Sequence, residues 1–216
     1  MIAELISVGT EILLGNIVNT NSAYLSEKCA LLGLSVYYQT VVGDNEERME
    51  EVIKTALDRS DIVILTGGLG PTQDDLTKET VSRVMGFPLI EDAHTKEMIL
   101  KYMEQYKNNN SERRITENNF KQALVPQGAL ILDNQNGTAP GLILEKNGKT
   151  AILLPGPPNE MKPMFEEEVF PYLRKKQPET IYSQMVKICG IGESQVAEDI
   201  QDLIENQDNP TIAPYA

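Results

Sequence analysis

Three short and almost uninterrupted apolar segments, separated by amphipathic ones, constrain the fold of this chain more than any other feature. They predict strands over residues 2–8, 34–42 and 61–65. The amphipathic segments predict helices over residues 19–32, 44–58 and 74–85. A strand without polar alternation needs apolar cover on both of its faces. The order therefore predicts a mostly parallel sheet between two layers of helices, a three-layer α/β/α fold.

The second half of the chain extends this pattern and then changes character. Residues 91–124 are predicted to be helical with a break at 108–111, and further elements are predicted as strands over 129–132, 141–145 and 150–154 and a helix over 159–175. After Gln177, a strand-like segment (181–188) precedes a helical one (193–205), and this pair is too small to bury its own faces. We therefore predict a first domain over residues 1–175 and the start of a small second α/β domain over residues 176–216.

Composition and charge exclude several classes of function. The formal net charge of −13 disfavours general affinity for nucleic acids or anionic membranes. No apolar run approaches the ~20 residues of a membrane helix, and no signal peptide is expected. Cys29 and Cys189 form no zinc motif, so we predict free, mostly buried thiols in a cytoplasmic protein. His94 stands in a polar stretch, which excludes histidine-based catalysis and His-rich metal sites.

The strongest functional signal is the segment TGGLGPTQDDLT, residues 66–77, which follows the third predicted strand and opens a helix. Ligands of open parallel sheets bind at the carboxyl ends of the strands. Glycines allow close approach of the backbone, and amides at a helix start can bind phosphate. Asp74 and Asp75 offer the oxygen ligands that Mg²⁺ prefers. In the alternative interpretation, Asp74 caps the helix and Asp75 only complements the helix dipole.

Other polar segments follow the remaining strands and are expected at the same edge of the sheet. Glu11 follows the first strand and Asp44 the second. Together with Asp74 and Asp75 they would form a group of carboxylates whose mutual repulsion favours a bound cation. The alternatives are that Asp44 and Asn21 only cap helices. The loops 136–141 and 155–158 are expected to border the same site, and the alternative interpretation is that they are simple connections.

These segments, in this order, resemble the N-terminal domain of the CinA (competence-damage-inducible protein) family, which belongs to the molybdopterin-binding-like group. The resemblance is carried by GTEILLGNIVNTNS, VVGDN, TGGLGPTQDDLTKE, NGTAPG and LPGPPNEM. It implies ADP-ribose pyrophosphatase activity that needs a divalent metal ion. The related molybdopterin adenylyltransferases have an Arg–Asp pair where this chain has Asp74 and Asp75, which weighs against adenylyl transfer.

The resemblance also implies a domain order and partners. Bacterial members carry a small linking domain and then a nicotinamide-nucleotide amidase domain. Residues 178–216 resemble the start of the linking domain, and no amidase domain is present in this chain, so amidase activity is not expected of it. Family members tend to self-associate, which predicts a homo-oligomer. A small-molecule nucleotide is expected as the ligand, and neither nucleic acid nor membrane is expected as a partner.

Motifs and resemblance together predict metal-dependent hydrolysis of the pyrophosphate bond of ADP-ribose or a related nucleoside diphosphate compound, which gives AMP and ribose 5-phosphate. The catalytic candidates are Glu11, Asp44 and Asp75, and the candidate ligands of Mg²⁺ or Co²⁺ are Asp44, Asp74 and Asp75. The candidate substrate-binding residues are Gly9, Thr10, Asn19, Asn21, Thr66, Gly67, Gly68, Gly70, Thr72, Thr77, Gly137, Pro155, Gly156 and Glu160. Two alternatives stay open: a molybdopterin adenylyltransferase-like enzyme, and a non-catalytic nucleotide-sensing module that regulates an attached amidase.

Overall fold

The computed structural model describes residues 1–109, 117–177 and 184–214 and divides the chain into two units, Met1–Ile181 and Tyr182–Ala216. The strands of the first unit are β1 Ile2–Val8, β2 Ser35–Val42, β3 Ile62–Thr66, β4 Leu89–Glu91, β5 Leu124–Pro126, β6 Leu130–Leu132, β7 Gly141–Lys146 and β8 Lys149–Leu154. Its helices are α1 Thr10–Leu13, α2 Thr20–Leu31, α3 Glu46–Arg59, α4 Thr77–Met85, α5 Ala93–Asn109, α6 Pro158–Met164 and α7 Phe170–Lys176. A 3₁₀ helix spans Glu117–Ala123, and a π-helical segment, Phe165–Val169, joins α6 to α7. The second unit contains α8 Glu193–Asp199 and α9 Gln201–Glu205.

A six-stranded sheet in the order β2-β1-β3-β8-β7-β6 forms the centre of the first unit. Strands β2, β1, β3 and β8 are parallel, and β7 and β6 extend the sheet in the antiparallel direction. Alternate residues of β3 enter two different apolar clusters, Ile62 and Ile64 on one face and Val63 and Leu65 on the other. Helices α2 and α6 contribute to the first cluster, and α3 and α4 contribute to the second. The predicted three-layer, mostly parallel α/β/α fold is therefore confirmed.

Two helix starts differ from the prediction in a way that changes the interpretation of the acidic residues. Helix α3 is capped by Asn45, whose side chain accepts a hydrogen bond from the backbone amide of Arg48 at 3.0 Å. Asp44 is therefore not the cap. Helix α4 begins at Thr77, three residues after the predicted start at Asp74, so Asp74 and Asp75 lie in the loop before it. The interpretation of these two aspartates as a cap and a first-turn charge is wrong.

Other differences lie away from the parallel strands. Short strands β4 and β5, which lie before and after α5 in the sequence, pair with each other and were not predicted, because residues 91–124 were predicted to be helical. Helix α5 continues through Asn109, and the rest of the predicted break at 108–111 lies outside the described residues. The predicted strand 181–188 is wrong for residues 184–188, which form no strand, and its first three residues lie outside the described part. Cys29 is buried as predicted, whereas Cys189 is exposed.

None of the described helices combines the length and the apolar character that crossing a membrane would require.

Strand β1 contains a buried carboxylate, Glu4, that pairs with Arg59. Glu4 is fully buried, and its oxygens accept hydrogen bonds from Arg59 Nε at 2.9 Å and Arg59 Nη2 at 2.7 Å. Arg59→Met is expected to lower the free energy of unfolding by about 2–3 kcal/mol, because the carboxylate stays buried without its ionic partner. Denaturant unfolding measures this loss. The double variant Glu4→Gln/Arg59→Met should recover part of it, and an equal loss in both variants would refute the role given to the pair.

Candidate functional site

A cleft of about 750 Å³ lies at the carboxyl edge of the parallel strands. The loops that follow β1, β2, β3 and β8 line it, together with the loop between β6 and β7 and parts of α5 and the 3₁₀ helix. A cleft of this size at this edge suits a small-molecule ligand. A neighbouring groove of about 460 Å³ shares Val8, Glu11, Gly156 and Pro157 with the cleft.

Most of the predicted site residues line the cleft or the groove. Those that line the cleft are Gly9, Glu11, Asp44, Gly67, Gly68, Gly70, Asp74, Asp75, Gly137, Pro155, Gly156 and Glu160. Asn19, Asn21 and Thr66 line the groove instead. Thr10, Thr72 and Thr77 line neither, and their hydroxyl groups hold other parts of the site in place.

The cleft is strongly acidic. Its carboxylates belong to Glu11, Asp44, Asp74, Asp75 and Glu160. No lysine, arginine or histidine occurs among the described residues that line it. The charged side chains that an anionic ligand would meet there are therefore all negative, and a bound cation would offset the repulsion.

Asp44 is held in the cleft by the loop that follows β1. Its Oδ2 atom accepts hydrogen bonds from the Thr10 backbone amide at 2.9 Å and from Thr10 Oγ1 at 2.8 Å. The Asp44 amide in turn donates to Thr10 Oγ1 at 3.2 Å. Both described hydrogen bonds to the carboxylate end on Oδ2, so Oδ1 is left to contact a ligand. Thr10, which was predicted to bind substrate, holds an acidic residue in position.

Asp75 is held in a similar way by its own loop. Its Oδ2 atom accepts from the Thr72 backbone amide at 2.9 Å and from the Thr72 hydroxyl. The same hydroxyl, together with the backbone amide of Asp74, lowers the pKa of Asp74. Because a hydroxyl carries one proton and its shortest contact is with Asp75, we assign that proton to Asp75. The Asp74 backbone amide is then the donor that still lowers the pKa of Asp74 and favours its charged form, which a cation would bind.

The 3₁₀ helix clamps the glycine loop through contacts that the sequence did not predict. Lys121 Nζ donates to the carbonyl oxygens of Thr72, at 2.8 Å, and Asp75. Gln122 Nε2 donates to the Leu69 carbonyl at 3.0 Å. Lys78, which is buried, donates through Nζ to the Lys121 carbonyl at 2.7 Å, and burial lowers the pKa of Lys78 to about 8. The partners lie more than 40 residues apart in sequence, so no local pattern could have revealed them.

The backbone amides offered to a ligand differ from those predicted. The Gly67 amide donates to the Leu154 carbonyl at 3.0 Å, and the Thr77 amide at the start of α4 donates to the Gly68 carbonyl at 3.1 Å. Neither is therefore available to a phosphate. The amides of Gly68, Leu69 and Gly70 have no acceptor among the described residues. These three loop amides therefore remain open to a phosphate, whereas the first amide of α4 does not.

Three glycines of the site leave room for a carboxylate beside their Cα atoms. A Cβ atom at any of them would lie closer than 3.0 Å to a carboxylate oxygen. The pairs are Gly9 with Glu11, Gly70 with Asp75, and Gly137 with Glu160. At these three positions a larger residue would force the carboxylate to move from its present place.

Gly67 lies tightly against the backbone of β1. Its φ is +97°, and a Cβ atom there would lie closer than 3.0 Å to the Val8 carbonyl oxygen, a backbone atom of β1 that cannot move aside. Gly67→Ala is expected to lower the free energy of unfolding by about 3 kcal/mol or more. Gly148→Ala is the matched control, because Gly148 has φ +76° with open space around it and should cost only about 1 kcal/mol. Similar losses in the two variants would be inconsistent with the contact at Gly67.

Glu160 stands on the far wall of the cleft, on α6. Burial raises the pKa of Glu160, and a hydrogen bond from Asn134 Nδ2 at 2.7 Å opposes that rise. Asn134 also donates to the Ala139 carbonyl at 2.9 Å, which fastens the loop that contains Gly137 to the same carboxylate. Asn134 was not predicted, and its only signal in the sequence is its place just after a short strand.

The described residues contain no group of three or more His, Cys, Asp or Glu side chains arranged as a ready metal site. Asp44, Asp74 and Asp75 line one cleft without forming such a group. Mg²⁺ commonly binds through one or two carboxylates, several waters and the phosphates of a ligand, because it dehydrates reluctantly. The residues therefore fit a cation that enters together with a phosphate ligand, and they do not fit a closed cage of protein ligands.

Comparisons with known proteins agree with this fold and these motifs. A family model described as "Probable molybdopterin binding domain" matches residues 4–175, and one described as "Damage-inducible protein CinA KH domain" matches residues 183–216. A competence-damage inducible protein of Thermoanaerobacter pseudethanolicus is 56% identical over 214 residues, which cover 99% of this chain and 50% of that protein. A CinA-like protein of Kosmotoga olearia is 54% identical over 216 residues, which cover 100% of this chain and 51% of that protein. The chain thus spans about half the length of these curated relatives.

Solved structures lead to the same family. A CinA protein of Thermoplasma acidophilum is 36% identical with a TM-score of 0.67, and the match covers 77% of this chain and 95% of that one. The molybdopterin biosynthesis enzyme MoaB of Thermus thermophilus has a TM-score of 0.52 over 83% of this chain and 98% of its own. Its identity is only 16%, so that likeness concerns the fold alone. The chain therefore belongs to the CinA family, in which a domain of the molybdopterin-binding type precedes a CinA KH domain.

Proposed function

We propose that the cleft hydrolyses the pyrophosphate bond of ADP-ribose or a related nucleoside diphosphate compound, with a divalent cation, to give AMP and ribose 5-phosphate. One observation carries the proposal: four carboxylates from the loops after β1, β2 and β3 share a cleft with a glycine loop that has unpaired amides. A diphosphate needs both features, amides that bind its oxygens and carboxylates that hold its cation.

Asp75 is the proposed main cation ligand, with Asp44 or Asp74 as a second one. The Thr72 and Thr10 hydroxyl groups orient the first two, and each leaves one carboxylate oxygen without a described protein partner. When bound, Mg²⁺ or Co²⁺ would offset the charge on the diphosphate oxygens. The amides of Gly68, Leu69 and Gly70 would bind one of the phosphates and fix its orientation.

Glu11 is the proposed general base. Its carboxylate lines the cleft, rests against the backbone of Gly9 and has no hydrogen-bond donor among the described residues. It can therefore accept the proton of a water whose oxygen attacks one phosphorus atom. The bond from that phosphorus to the bridging oxygen breaks, and the other phosphate leaves with the bridging oxygen. The two monophosphates are AMP and ribose 5-phosphate.

A substrate panel tests the proposal. ADP-ribose, NAD, FAD and ATP would each be incubated with the chain in Mg²⁺, Mn²⁺ and Co²⁺, and products would be identified by chromatography and mass spectrometry. We expect AMP and ribose 5-phosphate from ADP-ribose in at least one of these metals. Absence of pyrophosphate cleavage from all four compounds in all three metals would refute the proposal.

A second candidate follows from the family match, because the matching model is described by molybdopterin binding. In this case the cleft would bind a pterin phosphate, and the enzyme would transfer an adenylyl group from ATP to it. Asp74, which stands where the adenylyltransferases have an arginine, weighs against this candidate because it removes a positive charge that a triphosphate would use. Incubation with ATP and molybdopterin separates the two, because only the second candidate forms an adenylylated product.

A chain of this family would act in the cytoplasm on a small-molecule nucleotide, as a homo-oligomer, and without nucleic acid or membrane as partners. A third candidate is a sensing role for an attached amidase domain in longer family members. Tight binding of ADP-ribose without turnover, measured by calorimetry in Mg²⁺ and Co²⁺, would favour that role.

A further inference from the structure

We propose that the groove beside the cleft is the subsite for the nucleobase, and that it selects a purine with an exocyclic amino group through Asn21. The inference rests on the proposed function, because it assigns the base of the nucleotide whose diphosphate occupies the cleft. The groove and the cleft share Val8, Glu11, Gly156 and Pro157, so one extended ligand can occupy both.

The groove has the chemistry of a base site rather than of a sugar or phosphate site. Its lining is largely apolar, with side chains from Val8, Ile12, Ile17, Val18, Pro157 and Pro158. Two of these, Ile17 and Val18, are unusually exposed for apolar residues, at 51% and 83%. A flat heterocycle would cover this apolar surface, which favours binding through the hydrophobic effect. Of the five carboxylates that line the cleft, only Glu11 also lines the groove, so the cleft with its glycine loop suits the diphosphate and ribose.

Asn21 supplies the selective contact. Its Nδ2 atom donates to the Gly156 carbonyl at 2.7 Å, and this contact fixes the orientation of the side-chain amide, since the reverse orientation would place two oxygens together. The remaining acceptor is therefore Oδ1, which is buried and has no hydrogen-bond partner among the described residues. A buried acceptor without a partner is unfavourable, and a donor supplied by a ligand would remove that cost.

The edge of a purine that carries an amino group provides such a donor next to an apolar ring. Oδ1 is shielded from solvent, so binding of the base includes a movement of the side chains that cover it. The ring would lie among the aliphatic side chains, and its amino group would donate to Asn21 Oδ1. A purine without an amino group would fill the groove equally well but leave the oxygen without a donor, so it should bind more weakly.

Calorimetric titration with 5′-AMP, purine riboside 5′-monophosphate and ribose 5-phosphate in Mg²⁺ tests this assignment. The purine riboside compound differs from AMP only by the missing amino group. We expect AMP to bind about tenfold more tightly than the purine riboside compound, and Asn21→Ala to bring the two affinities within about twofold. Asn16→Ala, at an exposed asparagine in the loop before α2, should keep the tenfold preference.

A second variant keeps the test decisive if Asn21→Ala does not fold. Val18→Glu places a charge on the exposed apolar rim and should weaken AMP binding about tenfold while leaving ribose 5-phosphate binding within about twofold. Val186→Glu, at an exposed valine of the second unit, is the matched control and should change neither. Equal binding of AMP and the purine riboside compound, or AMP binding that Val18→Glu leaves unchanged, would overturn the assignment.

The outcomes separate this inference from the proposed hydrolysis. If the chain hydrolyses ADP-ribose but shows no preference between the two purine nucleotides, the base subsite is wrong and the proposed function stands. If it binds AMP with the expected preference but cleaves no diphosphate compound, the proposed function is wrong and the base subsite stands.

Discussion

Asp75→Asn is expected to lower kcat/KM for ADP-ribose hydrolysis by about 1,000-fold. The substitution keeps the size of the side chain and one oxygen, so its contact with Gly70 and one of its contacts with Thr72 can persist. It removes the negative charge that would bind the cation next to the diphosphate. The loss should therefore appear in catalysis and in the metal concentration required, while the free energy of unfolding stays within about 1 kcal/mol of the wild-type value.

Asp58→Asn is the matched control for this experiment. Asp58 is an exposed residue near the end of α3, outside the cleft, and its substitution removes the same charge. Activity should stay within about twofold of the wild-type value. Wild-type kcat/KM in Asp75→Asn at all metal concentrations would remove Asp75 from the proposed cation site.

Removal of divalent cations is the second change with a large expected effect. After chelation and gel filtration, hydrolysis of ADP-ribose should fall by at least about 1,000-fold, and titration with Mg²⁺ or Co²⁺ should restore it. The reason is the charge of the cleft: its described lining residues include five carboxylates and no basic side chain. Without a cation, the diphosphate would meet uncompensated negative charge.

A salt control distinguishes this effect from general screening. K⁺ at the same ionic strength should not replace the divalent ion, because screening weakens repulsion without bridging the carboxylates and the phosphates. Full hydrolysis in the presence of a chelator would show that the carboxylates of the cleft have another role.

The parallel core of this fold was predictable because its signals are local. The runs that became β1 and β3 are apolar enough to require cover on both faces, and the next segments have helical periodicity. Strand β2 was predicted from its β-branched and aromatic residues, and it lies at the edge of the sheet with Tyr37 and Tyr38 exposed. Parallel strands place their carboxyl ends at one edge, so the meeting of Glu11, Asp44 and Asp75 in one cleft also followed from the order of elements.

The interactions that hold the site in place were not predictable, because they join distant segments. Nothing in the sequence near Lys121 indicates that its ammonium group binds the carbonyls of Thr72 and Asp75. The start of α4 was predicted too early for a related reason. Aspartate is common at the start of a helix. Here, however, the Asp75 carboxylate accepts a hydrogen bond from Thr72 and its carbonyl accepts one from Lys121, so the loop continues to Thr77.

Roles were harder to predict than positions. Thr10, Thr72 and Thr77 were predicted to bind substrate, yet their hydroxyl groups bond to Asp44, Asp75 and the Gly67 carbonyl. A short polar side chain in a loop can bind a ligand or position its neighbour, and the residue type alone does not distinguish these roles. Only the geometry assigns each threonine to its partner.

The most direct measurement is a calorimetric titration of the chain with α,β-methylene ADP-ribose, whose bridging carbon prevents hydrolysis, in Mg²⁺ and again in chelator. If the acidic cleft binds a diphosphate only together with a cation, affinity in Mg²⁺ should be at least about tenfold higher, and Asp75→Asn should abolish most of the difference. The same affinity in both buffers would show that the diphosphate does not depend on a cation in this cleft.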